Sequence, residues 1–276
     1  MAAQILDGKK VADSILGTLK KTIAETKIKP ILAIVLCGSD PASLIYTAIK
    51  KKRAEEIGIT ARVYEYAESI TEEELCGYIR QLNRQSDAVI VQLPLPAHLN
   101  QDRVVNTIDP EKDADGLTAV NIGKIARGDE TLAPATPKGI MKILDHYNIS
   151  LKGKKVTIVN HSPLVGKPLA LMLLNRGATV TICHEFTQEI ESHTFPADVV
   201  VSAVGIPSFI HAEMIKAGAV VVDVGISRKN NSIRGDVDFE SVKAKASYLT
   251  PVPGGIGPMT VAMLLETVVM IKSKPL

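Results

Sequence analysis

The residues best suited to acid–base chemistry lie on one predicted helix. Tyr46, Lys50 and Arg53, in the segment "YTAIKKKR", are spaced i, i+4 and i+7, which places them on one helix face. A lysine that is withdrawn from water can act as a general acid or base, and a tyrosine ring offers a flat apolar surface to a planar ligand. The alternative is a solvated helix face, which a run of four basic residues usually forms.

Polar residues also stand at a strand end and in an acidic loop. Gln92 follows the apolar run "AVIV" and precedes "LPLP", where proline cannot continue a strand ladder. Its amide is suited to a ligand or to a structural hydrogen bond with a neighbouring loop. Asp113 and Asp115 lie in "DPEKDADGL". They indicate either a turn or a carboxylate that accepts from two adjacent N–H donors of a planar ligand. The loop lacks the ligand pattern of a calcium site.

The segment 156–183, "VTIVNHSPLVGKPLALMLLNRGATVTIC", predicts strand, tight loop, helix and strand. It lacks two glycines of the usual dinucleotide-binding motif, yet Gly166 permits close approach of helix and strand, and Pro168 suits a first helical turn. Ser162 and free backbone N–H groups at the helix start would suit a phosphate. A structural turn without a ligand is the alternative.

Strands and helices alternate on both sides of these segments, so the fold class is α/β. We predict helices at 8–26, 71–82, 136–147 and 259–273, and a helix from Pro41 to near Gly58. We predict strands at 31–37, 61–66, 88–92, 156–160, 178–183, 198–203 and 219–224, with 93–138 mostly loop. Alternation of this kind implies parallel sheets covered by helices. The sequence therefore predicts two α/β domains, the second a small Rossmann-type sheet, with the last helix returning to the first domain.

Composition excludes several classes of protein. The net charge is only +2 and aromatic residues make up 4% with no Trp, so a nucleic-acid partner is not expected. Cys37, Cys76 and Cys183 are far apart and predict reduced core thiols of a cytoplasmic protein. No signal peptide is evident. The apolar stretch "TVAMLLETVVMI" is shorter than the ~20 residues of a membrane span, so no membrane association is expected.

Short motifs occur in a fixed order along nearly the whole chain. These are "YTAIK" (46–50), "VQLPLP" (91–96), "PEKDADG" (110–116), "TPKG" (136–139), "VGKP" (165–168), "ATVTICH" (178–184), "VVDVGI" (221–226), "GDV" (235–237) and "PVPGGIGPMT" (251–260). In this order and spacing they resemble the bifunctional methylenetetrahydrofolate dehydrogenase/cyclohydrolase family. The resemblance implies a homodimer of two-domain subunits with a cleft between the domains. It also implies oxidation of 5,10-methylenetetrahydrofolate and hydrolysis of the methenyl product to 10-formyltetrahydrofolate.

The resemblance also implies roles for particular residues. Lys50 would handle protons in the hydrolysis, and Gln92 would orient this lysine and tune its acidity. Tyr46 would stack on the aminobenzoyl ring, and Asp115 would hold the pterin. The glycines of the segment 253–255 would let the backbone approach the flat ligand. The full set of implied substrate contacts is Tyr46, Lys50, Val91, Gln92, Leu93, Asp115, Pro253, Gly254 and Gly255.

The implied cofactor is a nicotinamide dinucleotide. Its contacts would be Asn160, His161, Ser162, Val165, Gly166, Glu185, Gly225 and Ile226; no metal is implied. The usual triplet of the family is Gly-Arg-Ser, but here it is Asn160, His161 and Ser162, so the arginine that commonly meets the 2′-phosphate is missing. Glu185 stands where an acid usually binds a free 2′-hydroxyl. NADP is the expected cofactor from the family, with NAD as the close alternative.

The predicted domains are 1–135 plus 256–276 for folate and catalysis, and 136–255 for the dinucleotide. Two other functions are considered. A dehydrogenase without hydrolase activity conflicts with the retained Tyr46, Lys50 and Gln92. A nucleotide-sensing module without catalysis conflicts with the retained folate motifs.

Overall fold

A computed structural model describes residues 2–229 and 232–273. The chain forms two compact units. The three-stranded unit comprises Asp13–Lys124, Thr131–Ala135 and the residues from Val261 onward. The six-stranded unit comprises the residues up to Ala12, Ile125–Glu130 and Thr136–Thr260.

The helices and strands alternate along the chain as the sequence predicts. In order they are β1 (Gln4–Ile5), α1 (Gly8–Thr26), β2 (Ile31–Cys37), α2 (Pro41–Ile57), β3 (Thr60–Tyr66), α3 (Glu72–Gln85), β4 (Ala88–Val91), α4 (Gln101–Val105), α5 (Ala119–Ala126), α6 (Ala135–His146), β5 (Lys155–Val159), α7 (Gly166–Asn175), β6 (Thr179–Cys183), α8 (Ile190–Thr194), β7 (Val199–Ser202), β8 (Val220–Asp223), β9 (Ser227–Lys229), β10 (Ser232–Arg234), α9 (Phe239–Lys243), β11 (Tyr248–Leu249) and α10 (Ile256–Ser273).

The three-stranded unit is built on a parallel sheet of order β3-β2-β4. The central strand β2 is almost wholly buried, which explains its continuous apolar run. Local signals set the helix ends. Asp40 caps α2 and Gly58 ends it at a φ of 96°. Thr71 and Glu74 form the expected capping box of α3.

The six-stranded unit contains a sheet of order β1-β11-β8-β7-β5-β6, and all of its strand pairs are parallel. Strands β5, β7 and β8 are nearly all valine, isoleucine and threonine, the residues that pack well on a pleated surface. Strands β9 and β10 form a separate antiparallel pair. The predicted α/β class with two parallel sheets is confirmed.

The first residues of the chain belong to the second sheet, which the predicted boundaries did not anticipate. Strand β1 pairs with β11, so the residues up to Ala12 join the six-stranded unit. The two paired strands are two residues each, too short to show an alternation in the sequence. The predicted loop 93–138 also contains the short helices α4 and α5. The functional division into folate and dinucleotide domains stays a prediction.

The last helix contributes residues to the three-stranded unit, as expected. Residues from Val261 onward belong to it, and Lys272 Nζ lies 3.0 Å from Asp87 Oδ1 in that unit. By length and composition α10 could cross a membrane, but 56% of its apolar window is buried, which is typical of a core helix. Cys37, Cys76 and Cys183 are buried free thiols, as predicted.

Candidate functional site

Lys50 is the one member of the basic run 50–53 that is withdrawn from water. It is 8% exposed and lies on the buried face of α2 with Ser43, Thr47, Ala54 and Ile57. The spacing places Arg53 on the same side of the helix, but its guanidinium reaches the surface, where it pairs with Asp13 at 3.7 Å and with Glu56 at 3.0 Å.

Asp115 is the charge partner of Lys50. Its Oδ2 lies 3.3 Å from Lys50 Nζ, and the two side chains are only 10% and 15% exposed. An ion pair this far from water is screened much less than a surface pair. Residues that are 65 positions apart in the chain are therefore brought together.

Asp113 builds the loop that presents Asp115. Its carboxylate accepts from the N–H groups of Gly116 and Thr118, at 2.9 and 2.8 Å, and from Asn121 Nδ2 at 3.0 Å. Burial raises the pKa of Asp113, and the hydrogen bond from Thr118 opposes that rise. The sequence allowed a structural role in the turn for either aspartate, and Asp113 is the one that has it.

Gln92 lies at the carboxyl end of β4 and is 8% exposed. Its Nε2 donates to Leu93 O at 2.8 Å, while its Oε1 has no hydrogen-bond partner among the described residues. Ser43 Oγ on α2 donates to the same carbonyl at 3.4 Å. Gln92 is thus linked through this carbonyl to the buried face of α2. Its expected role of orienting Lys50 stays a prediction.

Tyr46, Val91 and Leu93 complete the predicted folate contacts of the three-stranded unit. Tyr46 is half-buried on α2, Val91 is buried, and Leu93 is partly buried and packs on the core of this unit. The Leu93–Pro94 peptide is cis. Tyr46 therefore lies on the same helix as Lys50, and Val91 and Leu93 flank Gln92 at the carboxyl end of β4.

A pocket of about 300 Å³ opens where β2 and β4 end, and its lining residues were not predicted as site residues. Cys37, Asp40, Glu68 and the segment 94–96 line it. Burial raises the pKa of Cys37 to about 11, so this thiol stays neutral. Two acidic side chains make the pocket a poor match for an anion. The sequence feature that could have indicated this pocket is the position of its first lining residues at the end of the predicted strand 31–37.

The loop after β5 is organised by Asn160. Its Oδ1 accepts from Ser162 N at 2.9 Å, Ser162 Oγ at 2.7 Å and Gly166 N at 3.0 Å. A Cβ on residue 166 would lie 2.0 Å from Asn160 O. Val165 precedes the helix and donates its N–H to Ser162 Oγ. The expected close approach at Gly166 is confirmed.

The N–H groups at the start of α7 are not free, contrary to expectation. Gly166 N is bonded to Asn160, Lys167 N donates to Ser162 O at 3.1 Å, and Pro168 has no N–H. Because the loop satisfies these donors itself, what remains for an anion at this helix start is mainly the helix dipole.

His161 and Glu185 form an exposed pair at the ends of β5 and β6. His161 Nε2 lies 3.1 Å from Glu185 Oε2, and the side chains are 45% and 60% exposed. The ring of His184, which was not predicted as a site residue, lies 4.9 Å from that of His161. The two residues expected to read the 2′ position are therefore in contact.

The remaining predicted cofactor residues follow β8. Gly225 is buried, and Ile226 is 38% exposed. A Cβ on residue 225 would lie 1.9 Å from Asp236 Oδ1. Glycine is required at 225 because a carboxylate lies directly against its backbone.

The predicted folate segment 253–255 follows β11, which pairs with β8. Gly254 has a φ of 107°, and a Cβ on residue 255 would lie 2.5 Å from Pro251 O. The Val252–Pro253 peptide is cis. The expected reason for these glycines was room for a ligand. The structure shows that the backbone of the segment itself already requires them.

Comparisons with known proteins cover both units. The profile of the tetrahydrofolate dehydrogenase/cyclohydrolase catalytic domain matches residues 6–115, and that of the NAD(P)-binding domain of the same family matches residues 134–275. The bifunctional protein FolD of Aquifex aeolicus is 49% identical over 280 residues, covering 99% of this chain and 96% of that protein.

Solved structures give the same result. The bifunctional FolD enzyme of Campylobacter jejuni is 44% identical with a TM-score of 0.95, over 98% of this chain and 99% of that one. The dehydrogenase-cyclohydrolase of Trypanosoma brucei, solved with NADP and an inhibitor, is 33% identical with a TM-score of 0.94, over 99% and 98%.

Proposed function

The chain belongs to the tetrahydrofolate dehydrogenase/cyclohydrolase family, as its motifs predict, and we propose how its residues divide the work of the two reactions. It is a bifunctional enzyme. It oxidises 5,10-methylenetetrahydrofolate to the methenyl form with a nicotinamide cofactor, and it hydrolyses the methenyl form to 10-formyltetrahydrofolate. The assignment of residues rests chiefly on the buried ion pair between Lys50 and Asp115.

Asp115 and Tyr46 bind the folate. The pterin edge carries adjacent N–H donors that suit two carboxylate oxygens, and Asp115 Oδ2 is already held by an ammonium at 3.3 Å. The ring of Tyr46, half-buried on α2, stacks on the aminobenzoyl group. Pterin N–H groups would share Asp115 with Lys50, so folate binding loosens the amine from its partner.

Lys50 handles protons in the hydrolysis. Water adds its oxygen to the cationic methenyl carbon, the bond from this carbon to N5 breaks, and the oxygen gives up both of its protons as the formyl C=O forms. One proton is transferred to N5, and the other is released to solvent together with the positive charge of the substrate. Lys50 has the burial and the nearby carboxylate expected of a group that accepts a proton from the water and returns it to N5. Gln92, whose Oε1 accepts no bond within the described residues, positions the lysine or the water.

The order of strands in the six-stranded unit indicates how a dinucleotide lies. Ligands of such sheets collect outside the carboxyl ends of the strands. In the order β6-β5-β7-β8, Glu185 follows β6, the Asn160 loop follows β5, and Gly225 follows β8. By this order Glu185 would face the adenosine, the Asn160 loop and the start of α7 would hold the pyrophosphate, and Gly225 and Ile226 would contact the nicotinamide. When bound, the nicotinamide ring would supply the hydride acceptor for the methylene carbon.

The segment 253–255 follows β11, which neighbours β8 in the sheet. A folate contact by Pro253, Gly254 and Gly255 would bring the methylene bridge near the proposed nicotinamide position. This neighbourhood supports the assignment of these residues to substrate binding.

NADP is the proposed cofactor, with NAD as the second candidate. The relative from Trypanosoma brucei was solved with NADP. His161 is the basic residue of the triplet that could face a 2′-phosphate, but Glu185 lies 3.1 Å from it and would repel one. A free 2′-hydroxyl could instead donate to Glu185, which favours NAD. We also propose that the protein is a homodimer, which light scattering on the purified protein would test. We propose that it is located in the cytoplasm.

One purified protein tests both activities through the absorbance of methenyltetrahydrofolate. Its appearance from the methylene form should require a nicotinamide cofactor, and its disappearance without cofactor should be faster than the spontaneous rate. A dehydrogenase alone would give only the first result, and a sensing module would give neither. Parallel assays with NADP and NAD identify the cofactor.

A further inference from the structure

Two buried carboxylates lie beneath the loop to which the nicotinamide is assigned. Asp223 is the last residue of β8 and is 3% exposed, and Asp236, which follows β10, is 0% exposed. Neither is among the residues that we assign to the folate or the dinucleotide. Buried carboxylates are rare unless they are bonded or functional, so this pair needs an explanation.

The two carboxylates tie three segments together at the carboxyl edge of the sheet. Asp223 Oδ1 accepts from Gly225 N at 3.0 Å and Asp236 N at 2.9 Å, and its Oδ2 accepts from Val237 N at 2.9 Å. Asp236 Oδ2 accepts from Ser202 Oγ at 2.9 Å and Val204 N at 2.7 Å. The segments after β7, β8 and β10 are thus held by these two side chains.

One oxygen of Asp236 receives no hydrogen bond within the part of the chain that the structure describes. Asp236 Oδ1 is buried and has no hydrogen-bond partner among the described residues. It lies against the backbone of Gly225, since a Cβ there would be 1.9 Å away. In the reciprocal position, a Cβ on Gly235 would lie 1.9 Å from Asp223 Oδ2. Both glycines therefore let a carboxylate approach the backbone closely.

Negative charge is present in this pair at neutral pH. Burial raises the pKa of Asp223 to about 6, and the charge of Asp236 adds to the rise, against N–H groups that lower it. Near pH 8 the Asp223 carboxyl is therefore ionised. In a low-dielectric surrounding such a charge acts over several ångströms.

We propose that Asp223 and Asp236 make the enzyme bind the oxidised cofactor in preference to the reduced one. The inference rests on the proposed position of the nicotinamide at Gly225. The oxidised ring carries a positive charge, which disappears when it accepts a hydride. Negative charge beneath Gly225 attracts the first form and has no such attraction for the second. The pair would thereby favour binding of the oxidised cofactor and release of the reduced cofactor.

The test compares dissociation constants of oxidised and reduced NADP and NAD near pH 8, by calorimetry and nicotinamide fluorescence. Asp236→Asn keeps the side-chain shape and removes the charge. The ratio of the oxidised to the reduced dissociation constant should rise about fivefold or more, the scale for one charge acting through protein. Asp238→Asn is the matched control. It lies two residues further on, is partly exposed and makes no capping bond, so the ratio should stay at the parent value.

Equal weakening of both forms by Asp236→Asn would overturn the inference, because it would show that the pair only supports the loop. If this variant does not fold, the parent protein gives the answer with NAD and NADH, which carry no 2′-phosphate. Among the described residues, the charged group facing Asp223 is Asp236, and the other partners of the Asp223 carboxylate are N–H groups. The preference for NAD over NADH should be smaller at about pH 5.5 than at about pH 8, and an unchanged preference would contradict the inference. A parent protein that binds no dinucleotide would instead refute the proposed function.

Discussion

Lys50 Nζ lies 3.3 Å from Asp115 Oδ2, and both side chains are largely buried. The pair joins the group proposed to move protons to the group proposed to hold the pterin. Removing either partner leaves the other as a buried, uncompensated charge, but each partner is assigned a different task, so the two substitutions should differ in their main effect. The first prediction concerns the carboxylate.

Asp115→Asn should mainly weaken folate binding. An amide has one acceptor oxygen and one NH2 donor, so it cannot present an oxygen to each of two pterin N–H groups, and the loss should be roughly 1.5–3 kcal/mol, the scale for a hydrogen bond to a charged group. Calorimetry with a folate ligand measures it. Asp102→Asn, at an exposed carboxylate of the same unit, should leave the affinity unchanged. Parent affinity in Asp115→Asn would remove this residue from the site.

The pair of His161 and Glu185 predicts a change in cofactor selectivity. Glu185→Ser removes a negative charge from the proposed 2′ position, so NADP affinity should rise and NAD affinity should fall. His161→Ala should lower NADP affinity more than NAD affinity. Dissociation constants for both cofactors measure the ratio, with Glu191→Ser as an exposed control. An identical ratio in the parent and both variants would mean that neither residue reads the 2′ position.

Gly166 and Gly17 should respond in opposite ways to alanine. A Cβ on residue 166 would lie 2.0 Å from Asn160 O, so Gly166→Ala must displace the loop and should weaken dinucleotide binding and lower the melting temperature. Gly17 lies in α1, and in the described part of the chain no heavy atom apart from its chain neighbours and the backbone of its own helix lies within 4 Å of its Cβ position. Gly17→Ala should stabilise the protein by roughly 0.5–1 kcal/mol. Thermal and urea unfolding test both, and an unperturbed Gly166→Ala would show that the loop yields easily.

Asp223 should make stability depend on pH. Its pKa in the folded protein is about 6, above the ordinary value of 3.8, because of burial and then the charge of Asp236. The folded state thus holds this proton more tightly than the unfolded chain does. The stabilisation is complete below pH 3.8 and is lost as the pH rises through about 6, by about 3 kcal/mol at most.

Urea unfolding between about pH 4 and pH 8 measures this effect. Asp223→Asn should be less stable overall, since an amide oxygen replaces a carboxylate that accepts three N–H groups, but its stability should fall less over that range. Asp198 contributes a pH dependence of the opposite sign. The hydrogen bond from Lys216 lowers the pKa of Asp198, so its contribution to stability is lost as the pH falls. An equal pH dependence in parent and variant would show that Asp223 titrates normally.

Local signals were enough to predict most elements. The continuous apolar run of β2, the Thr71–Glu74 capping box and the Pro41 and Gly58 ends of α2 are all encoded within a few residues. Strands β1 and β11 could not be predicted in this way. Each is two residues long and exists because of its pairing with a strand far away in the chain.

The site was predicted by residue type but not by contact. The pattern of α2 placed Lys50 and Arg53 on one face, and only the packing shows that Lys50 alone is buried. Its pairing with Asp115 depends on how a distant loop folds around Asp113. Asp223 and Asp236 lie in two of the motifs that carry the family resemblance. Nothing in the sequence around either residue indicates that both carboxylates are buried beneath one loop.

The most direct measurement of the central claim is the rate of methenyltetrahydrofolate hydrolysis by Lys50→Met, with Lys51→Met as the matched control. Lys51 is the exposed neighbour in the same basic run. The account predicts that Lys50→Met folds, still binds folate and loses the hydrolysis, while Lys51→Met keeps the parent rate. Hydrolysis at the parent rate by folded Lys50→Met would contradict the account, because the proton transfer would then belong to another group.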